Sequence, residues 1–394
     1  MASAPTPVPA AVKGLSLVSL FNDFASEMVY PLLPAFVTGT LGGGPLVLGA
    51  LDGAADLTAA ALKIVSGRLA DRVGWRRSLI LTGYGTAILV RPLIAMAGAA
   101  WQVIGFRVID RVGKGLRTPP RDALIAVITP EPARGRAFGF HRAADHLGAV
   151  MGSLAAWYFL SRGADVRSVI GWSAVPGILA FAVLAVVLRI GGAAGRGTSA
   201  APRAATADAA GMIFWGPVLA LAALTFFRLP ETLFLLRLQN RGVPVAVVPL
   251  VWAGLHVVRS AGSYPGGRIT DRFGASGTVA AGGLVFAATA TALGLAQSAV
   301  AAVAIFLALG LVAGLTESAE RVLVARLTPV RTGRGFGLYH GLTGFAALPS
   351  GLIFGALYQS AGGALALFAS AAGTVVAVFA WLIVSPRLSR GVVA

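Results

Sequence analysis

The segment DRVGKGLRTPPRD at 110–122 carries Asp110, Arg111, Lys114, Arg117, Arg121 and Asp122, with Arg107 one turn upstream, in a chain that is 57% hydrophobic and only 12% charged. Two chemistries suit so dense a set of charges: a phosphate-binding loop, or an ion-pairing and proton-relaying face of a buried helix. The Gly113-Lys114 pair lacks the leading glycine and the following Ser or Thr of a nucleotide-binding loop, which removes support for the first. At about 100° per residue, positions 107, 110, 111, 114, 117 and 121 fall within an arc of roughly 120°. That spacing predicts one helix face turned toward a polar space.

Other acid-base groups have matching spacing. Asp23 and Glu27 stand four apart and share a helix face. At about 1.5 Å per residue, Glu27 is expected near mid-membrane, level with Arg111 and Lys114, and Asp23 a turn nearer the helix start. A cluster that changes partners during a working cycle and a fixed ion pair between two helices both fit. His141 and Asp145 form another four-apart pair, suited to a proton relay, to helix packing, or, with Asp23 or Glu27, to a divalent cation. No resident metal or cofactor is predicted, and the absence of cysteine excludes disulfides, thiolate ligands and a Cys nucleophile.

The elements that must position these groups are membrane helices. Mean hydropathy is +0.81, with 51 glycines and a formal charge of +17 in 394 residues, outside the range of soluble domains. Apolar runs of about 20 residues predict twelve spans, near 14–38, 47–66, 78–99, 101–126, 136–161, 167–189, 212–238, 244–265, 277–297, 299–327, 335–359 and 364–385. Ionisable groups inside such spans are costly and line polar cavities or pair with one another.

Arginine is concentrated at alternate connections and the C-terminal tail, including Arg68, Arg72, Arg76, Arg77, Arg134, Arg189, Arg272, Arg326 and Arg387. The positive-inside rule makes those ends and both termini cytoplasmic. Arg162, Arg167, Arg237 and Arg241 are the exceptions. The positive charge is therefore mainly topological, and no nucleic-acid partner is expected. The first residues read as a short cytoplasmic tail and not a signal peptide.

GGAAGRGTSAAPRAATADAAG at 191–211 is a Gly/Ala/Ser-rich linker, separating a six-helix bundle at 1–190 from one at 212–394. The halves repeat. GRLADRVG at 67–74 recurs as GRITDRFG at 267–274, ALIAVITP at 123–130 as VLVARLTP at 322–329, and GRAFGF at 135–140 as GRGFGL at 333–338. The repeat aligns Arg121-Asp122 with Glu320-Arg321 and His141 with Tyr339. Charges kept in both halves are expected in a structural latch; the asymmetric Arg107 to Arg117 set and Glu231 are expected around the cavity.

With these motifs in place, the chain resembles the major facilitator superfamily over all twelve spans. The loop signature stands here as Gly67, Asp71, Arg72, Gly74, Arg76 and Arg77, with its echo in Asp271 and Arg272. The resemblance implies an all-α membrane fold with a central cavity lined by helices one, four, seven and ten, and a latch that favours one of two rocking states. Two departures stand out: Ile109 occupies the Arg position before Gly113-x-Gly115, and Gly148 to Gly152 is followed by Ser153 where Pro is usual.

The expected function is secondary transport by alternating access, with proton-coupled efflux of a small drug-like molecule from a bacterial inner membrane. Export of a divalent metal or chelate, and proton-coupled uptake of an organic anion, are the alternatives. Asp23, Glu27, Asp110 and Asp145 are the coupling candidates, in a monomer. An enzyme built on His141, Asp145 and His146 lacks a further ligand cluster.

Overall fold

The computed structural model describes residues 8–70, 73–129, 134–191, 212–327 and 332–385. Among these there are twelve helical rods and no strands, because in a lipid core each backbone N–H and C=O must find its partner within the rod itself. They are α1 (10–40), α2 (Pro45–Ala70), α3 (Val73–Ile94), α4 (Ala100–Ile128), α5 (Arg134–Ser161) and α6 (166–191), then α7 (212–240), α8 (Val248–Phe273), α9 (Ala275–Leu295), α10 (Ala299–Leu327), α11 (Thr332–Ala361) and α12 (Gly363–Val384). The linker expected at 191–211 lies almost wholly outside the described residues. The side of the molecule where α6 ends and α7 begins is called the linker side below.

Several boundaries differ from the hydropathy expectation for physical reasons. α3 is helical from its first described residue, Val73, five residues before the apolar run, and Arg76 Nε donates to the Ala70 carbonyl of α2 at 2.6 Å. It stops at Ile94, just after Pro92, in a run of tight turn bonds at 95–97. α8 starts at Val248 because a turn from Pro244 to Val247 precedes it, and it continues to Phe273 past Pro265. Gly274 (φ 82°) alone joins α8 to α9, and Gly362 (φ 85°) alone joins α11 to α12; a side chain at such φ is strained.

The first six and last six helices meet along α2 against α11 and α5 against α8. A Cβ built on Gly49 would lie 1.9 Å from the Gly351 carbonyl oxygen, and one on Gly53 2.7 Å from Leu348 Cα. Gly49-x-x-x-Gly53 and Gly351-x-x-x-Gly355 thus form paired small-residue faces that let two backbones touch. Gly148 and Gly152 do the same for α5 on α1, where an added Cβ would meet the Leu20 and Phe24 carbonyl oxygens at 2.2 Å.

The apolar core is asymmetric across the membrane. On the far side one buried cluster joins both halves, with Leu32, Phe36, Leu48 and Leu51 packed among Leu233, Trp252, Phe306 and Phe354. On the linker side the buried described residues fall into separate cores: Val12, Leu15, Tyr84 and Leu184 in one half, Leu221, Val279, Leu323 and Trp381 in the other.

The four far-side arginines that break the charge rule are all engaged. Arg167 donates to the Ala95 carbonyl at 2.6 Å and stacks over Phe36, and Arg237 donates to the Gly294 carbonyl at 2.7 Å. Arg162 lies over the Tyr158 ring, and Arg241 donates to Gln297 Oε1 at 3.4 Å. Arg167 and Arg237 satisfy carbonyls left open where α3 and α9 end. On the same side Asp165 caps α6 by accepting from Ser168 N and Oγ, bonds that hold its carboxyl below the usual carboxylate range.

Candidate functional site

The site is organised by a break in α7. Pro230 cannot donate a backbone bond and disfavours helix in the residue before it, so Met212–Phe227 ends and Glu231–Asn240 begins anew. The exposed backbone groups are satisfied by other helices: Ser370 Oγ of α12 accepts from Leu229 N at 3.2 Å and donates to the Phe227 carbonyl, and Ser350 Oγ of α11 donates to the Arg228 carbonyl at 3.2 Å. The new N-terminus has no cap from Pro230. Asp52 of α2 supplies it from the opposite half, accepting from Thr232 N at 3.0 Å and Thr232 Oγ1 at 2.8 Å.

α1 bends at the same depth. Pro31 and Pro34 shift its winding from α to a short 3-10 turn at Tyr30–Leu32, and Tyr30 OH donates to Asp52 at 3.3 Å. Trp252 of α8 packs 5.2 Å from the Tyr30 ring, and its Nε1 donates to Glu27 Oε2 at 2.8 Å. His256 Nε2 is 3.9 Å from the same oxygen. Glu27 therefore reaches across to the second half.

These groups border a cavity of about 410 Å³, a size suited to a small organic molecule. Its charged wall comprises Glu27, Asp52, Asp56, Arg107, Arg111 and Lys114 from the first half and Arg228, Glu231, His256 and Arg259 from the second. Arg259 is paired with Glu231 and lies over the Trp252 ring. Arg228 Nη2 lies 3.6 Å from Glu320 of α10, whose other oxygen accepts from Tyr339 OH.

Five of the ten residues expected around the cavity line it: Glu27, Arg107, Arg111, Lys114 and Glu231. The helix face from 107 to 121 does not open onto one space; neighbours divide it by depth. Asp110 is buried and shared by Arg91 of α3 at 2.9 Å, Arg107 at 3.4 Å and Arg111 at 3.9 Å. Arg91 also donates to the Asn22 carbonyl of α1 at 2.8 Å, so this ion cluster ties α1, α3 and α4 together. Arg117 turns to the Gly83 carbonyl and the Tyr84 ring.

Asp23 accepts from Asn22 Nδ2 and has no ion pair within 4 Å among the described residues, although Asp145, Lys114, Arg117 and Arg121 all act on its charge. His141 is buried, 3.3 Å from Ser16 Oγ and 3.7 Å from Asp145. Arg142 also approaches Asp145, at 3.5 Å. His141, Asp145 and Asp23 thus sit on the linker side of the cavity, between α1 and α5.

Of the expected latch, Arg121 pairs with Asp122 of its own helix at 2.9 Å and reaches Ser19 of α1 at 3.3 Å. Glu320 pairs within the second half, as described. Arg272 is exposed beside Phe273. A Cβ on Gly67 would meet only Pro119 at 3.9 Å and one on Gly74 nothing within 4 Å, so space does not demand glycine at either. Asp71 and Arg72 lie outside the described residues, as do the side chains of Asp271 and Arg321. Gly113 and Gly115 are packing glycines, an added Cβ meeting the Gly83 carbonyl at 2.6 Å and Leu62 Cβ at 2.5 Å; Ile109, in the place of the usual Arg, is exposed on the outer face of α4.

Asp52, Asp56, Arg228, Trp252, His256 and Arg259 were missing from the sequence-based site. Pro230 is the signal that could have found Asp52: a helix break between charged residues at mid-membrane calls for a cap from elsewhere.

A model of the Major Facilitator Superfamily matches residues 15–255. An uncharacterised MFS-type transporter of Methanocaldococcus jannaschii is 34% identical over 146 residues, 37% of this chain and 36% of that one. An uncharacterised protein of Mycobacterium tuberculosis is 28% identical over 393 residues, covering 95% of this chain and 91% of its own. Multidrug resistance protein MdtH of Photorhabdus laumondii is 33% identical over 127 residues, 32% of this chain and 31% of its length. Among solved structures, a bacterial homologue of the human lysosomal transporter Spinster, inward-facing and occupied, aligns with a TM-score of 0.72 and 17% identity over 95% of this chain and 96% of that one.

Proposed function

The chain belongs to the major facilitator superfamily, and from that premise we propose that it is a secondary active transporter that exports a small organic molecule by alternating access, coupled to protons. The observation that carries this reading is the asymmetric core: among the described residues one apolar cluster closes the far side across both halves, while the linker side has a separate core in each half, with the cavity lined by both halves. Such a pair of bodies can rock about a central site.

By the charge rule the linker side is cytoplasmic, so this state faces inward and receives cargo from the cell, in a bacterial inner membrane. Two cross-half clasps hold it closed outside, Asp52 on Thr232 and Glu27 on Trp252 with His256 nearby. Glu27 is the leading coupling residue. A proton on its carboxyl weakens its hold on α8, and release of that proton restores it. Asp23 and Asp145, nearer the cytoplasm, serve as the relay.

Efflux takes support from the local likeness to the multidrug protein MdtH and from a cavity that offers aromatic and charged walls together. The test is flux in proteoliposomes with an imposed proton gradient and a panel of organic cargoes. Gradient-driven accumulation and counterflow without product formation are expected. Conversion of a cargo without its movement overturns the transporter reading, and accumulation in the opposite sense overturns export.

A further inference from the structure

The charged groups around the cavity differ in how well they are matched. Asp52 holds three donors, Glu27 holds the Trp252 indole, and Glu231 holds Arg259. Arg107 pairs with Asp110 and stacks over Tyr30 at 4.9 Å. Arg228 has Glu320 at 3.6 Å, although its Nε and Nη2 make no hydrogen bond, and Arg111 and Lys114, neighbours on α4, are matched least. The closest carboxylate to Arg111 is Asp110 at 3.9 Å, which Arg91 and Arg107 hold more tightly, and Arg111 Nε has no hydrogen-bond partner.

Lys114 has its side chain exposed to the cavity and makes no hydrogen bond or ion pair among the described residues. Asp56 is the carboxylate at this corner, exposed and without a direct partner among the described residues. Arg111 and Lys114 thus line the cavity with Asp56 as the unpaired carboxylate on its wall, Asp23 lying on the linker side of it. Like charges on the wall of a protein cavity repel more than they would in water, and a cation there without a close counter-charge is poorly compensated. An anion entering the cavity relieves both.

We propose that the cargo carries a compact oxyanion, a carboxylate, sulfonate or phosphate group, and that Arg111 and Lys114 are the cations that hold it. This rests on the transporter reading and narrows its cargo to organic anions. Arg111 offers a planar fork of donors and Lys114 a point charge, a pair suited to an oxyanion. Asp56 sets the limit: its charge opposes a second negative group on the cargo, so the site favours a single anionic group on an otherwise apolar body. The Trp252 and Tyr30 rings on the cavity wall offer that body its surface.

The experiment is equilibrium binding of radiolabelled benzoate to the purified full-length protein, competed with benzenesulfonate, phenylphosphonate, benzamide and benzylamine. Benzoate is expected to bind and to be displaced by the other anions, not by benzamide or benzylamine. Lys114→Gln, on an exposed and unpartnered side chain that the fold does not need, is expected to weaken binding by about tenfold, and Arg111→Gln to do the same. Asp56→Asn is expected to tighten it. Displacement by benzylamine, absence of anion binding, or wild-type affinity in the Lys114→Gln, Arg111→Gln double variant overturns the proposal. Because binding needs no gradient, anion binding without flux sinks transport and spares the site, whereas coupled flux of a cationic cargo without anion binding sinks the site and spares transport.

Discussion

Asp52 of α2 caps the broken helix α7 at Thr232, accepting the backbone N–H at 3.0 Å and the hydroxyl at 2.8 Å, so a helix that begins in one half of the protein is completed by a side chain from the other. On the alternating-access reading the cap is made in this closed state and breaks when the far side opens. Its loss costs about 1.5–3 kcal/mol, the worth of hydrogen bonds to a charged group, and that cost falls on the closed state alone. Asp52→Ala is therefore expected to open the far side at least about tenfold more often. With no native cysteine, a single cysteine at the buried far-side position Leu48 reports this through its maleimide labelling rate. An unchanged rate refutes the gating role.

Glu27→Gln keeps an oxygen that can accept from Trp252 Nε1 but removes the titrating group. The variant is expected to fold, to bind cargo and to lose the dependence of flux on the proton gradient, and Asp23→Asn to lose most of it. If both variants retain the wild-type pH profile in proteoliposomes, neither carboxylate is the coupling group.

Asp110 neutralises a cluster of three arginines at the junction of α1, α3 and α4. Removing one partner of a buried ion pair costs about 3–5 kcal/mol. Asp110→Asn is accordingly expected to lower the melting temperature in detergent sharply, while Lys114→Gln leaves it close to wild type. Equal melting of the two variants contradicts the structural assignment of Asp110.

Gly49 and Gly351 bring α2 and α11 into backbone contact across the halves. Gly49→Leu cannot be accommodated in the closed far side, yet touches the core of neither half alone. Loss of flux with a raised Leu48→Cys labelling rate is the expected outcome; flux at the wild-type level contradicts the packing.

Arg237, buried on the far side, satisfies carbonyls at the end of α9. Arg237→Met keeps the apolar stem and drops the donors, leaving the Gly294 carbonyl unpaired at a cost of about 1–3 kcal/mol. Thermal melts are expected to show a loss of stability greater than for Arg162→Met, whose charge only overlies the Tyr158 ring.

Much of the architecture was legible in the chain because hydropathy, alternating arginines and the repeat are local signals, each read without knowing what packs where. They yielded the twelve helices, the membrane class and the family resemblance, and the glycine spacing of α5 correctly pointed to close packing. Boundaries shifted where a proline turn, such as that at 244–247, acted against the apolar run.

The site was legible in its residue types and not in its partners. Charge spacing on α4 placed Arg107 to Arg121 on one face, but could not show that Arg91 and Asn22 draw Asp110 inward, that Tyr84 turns Arg117 aside, or that Arg111 and Lys114 are left facing the cavity. Glu27 was recognisable as an intramembrane acid, whereas its link to Trp252 joins residues from different halves, and Asp52 with Thr232 does the same. The period of a helix determines which side chains share a face; which of them keep a free charge depends on neighbours brought close by packing, and only the tertiary structure decides that.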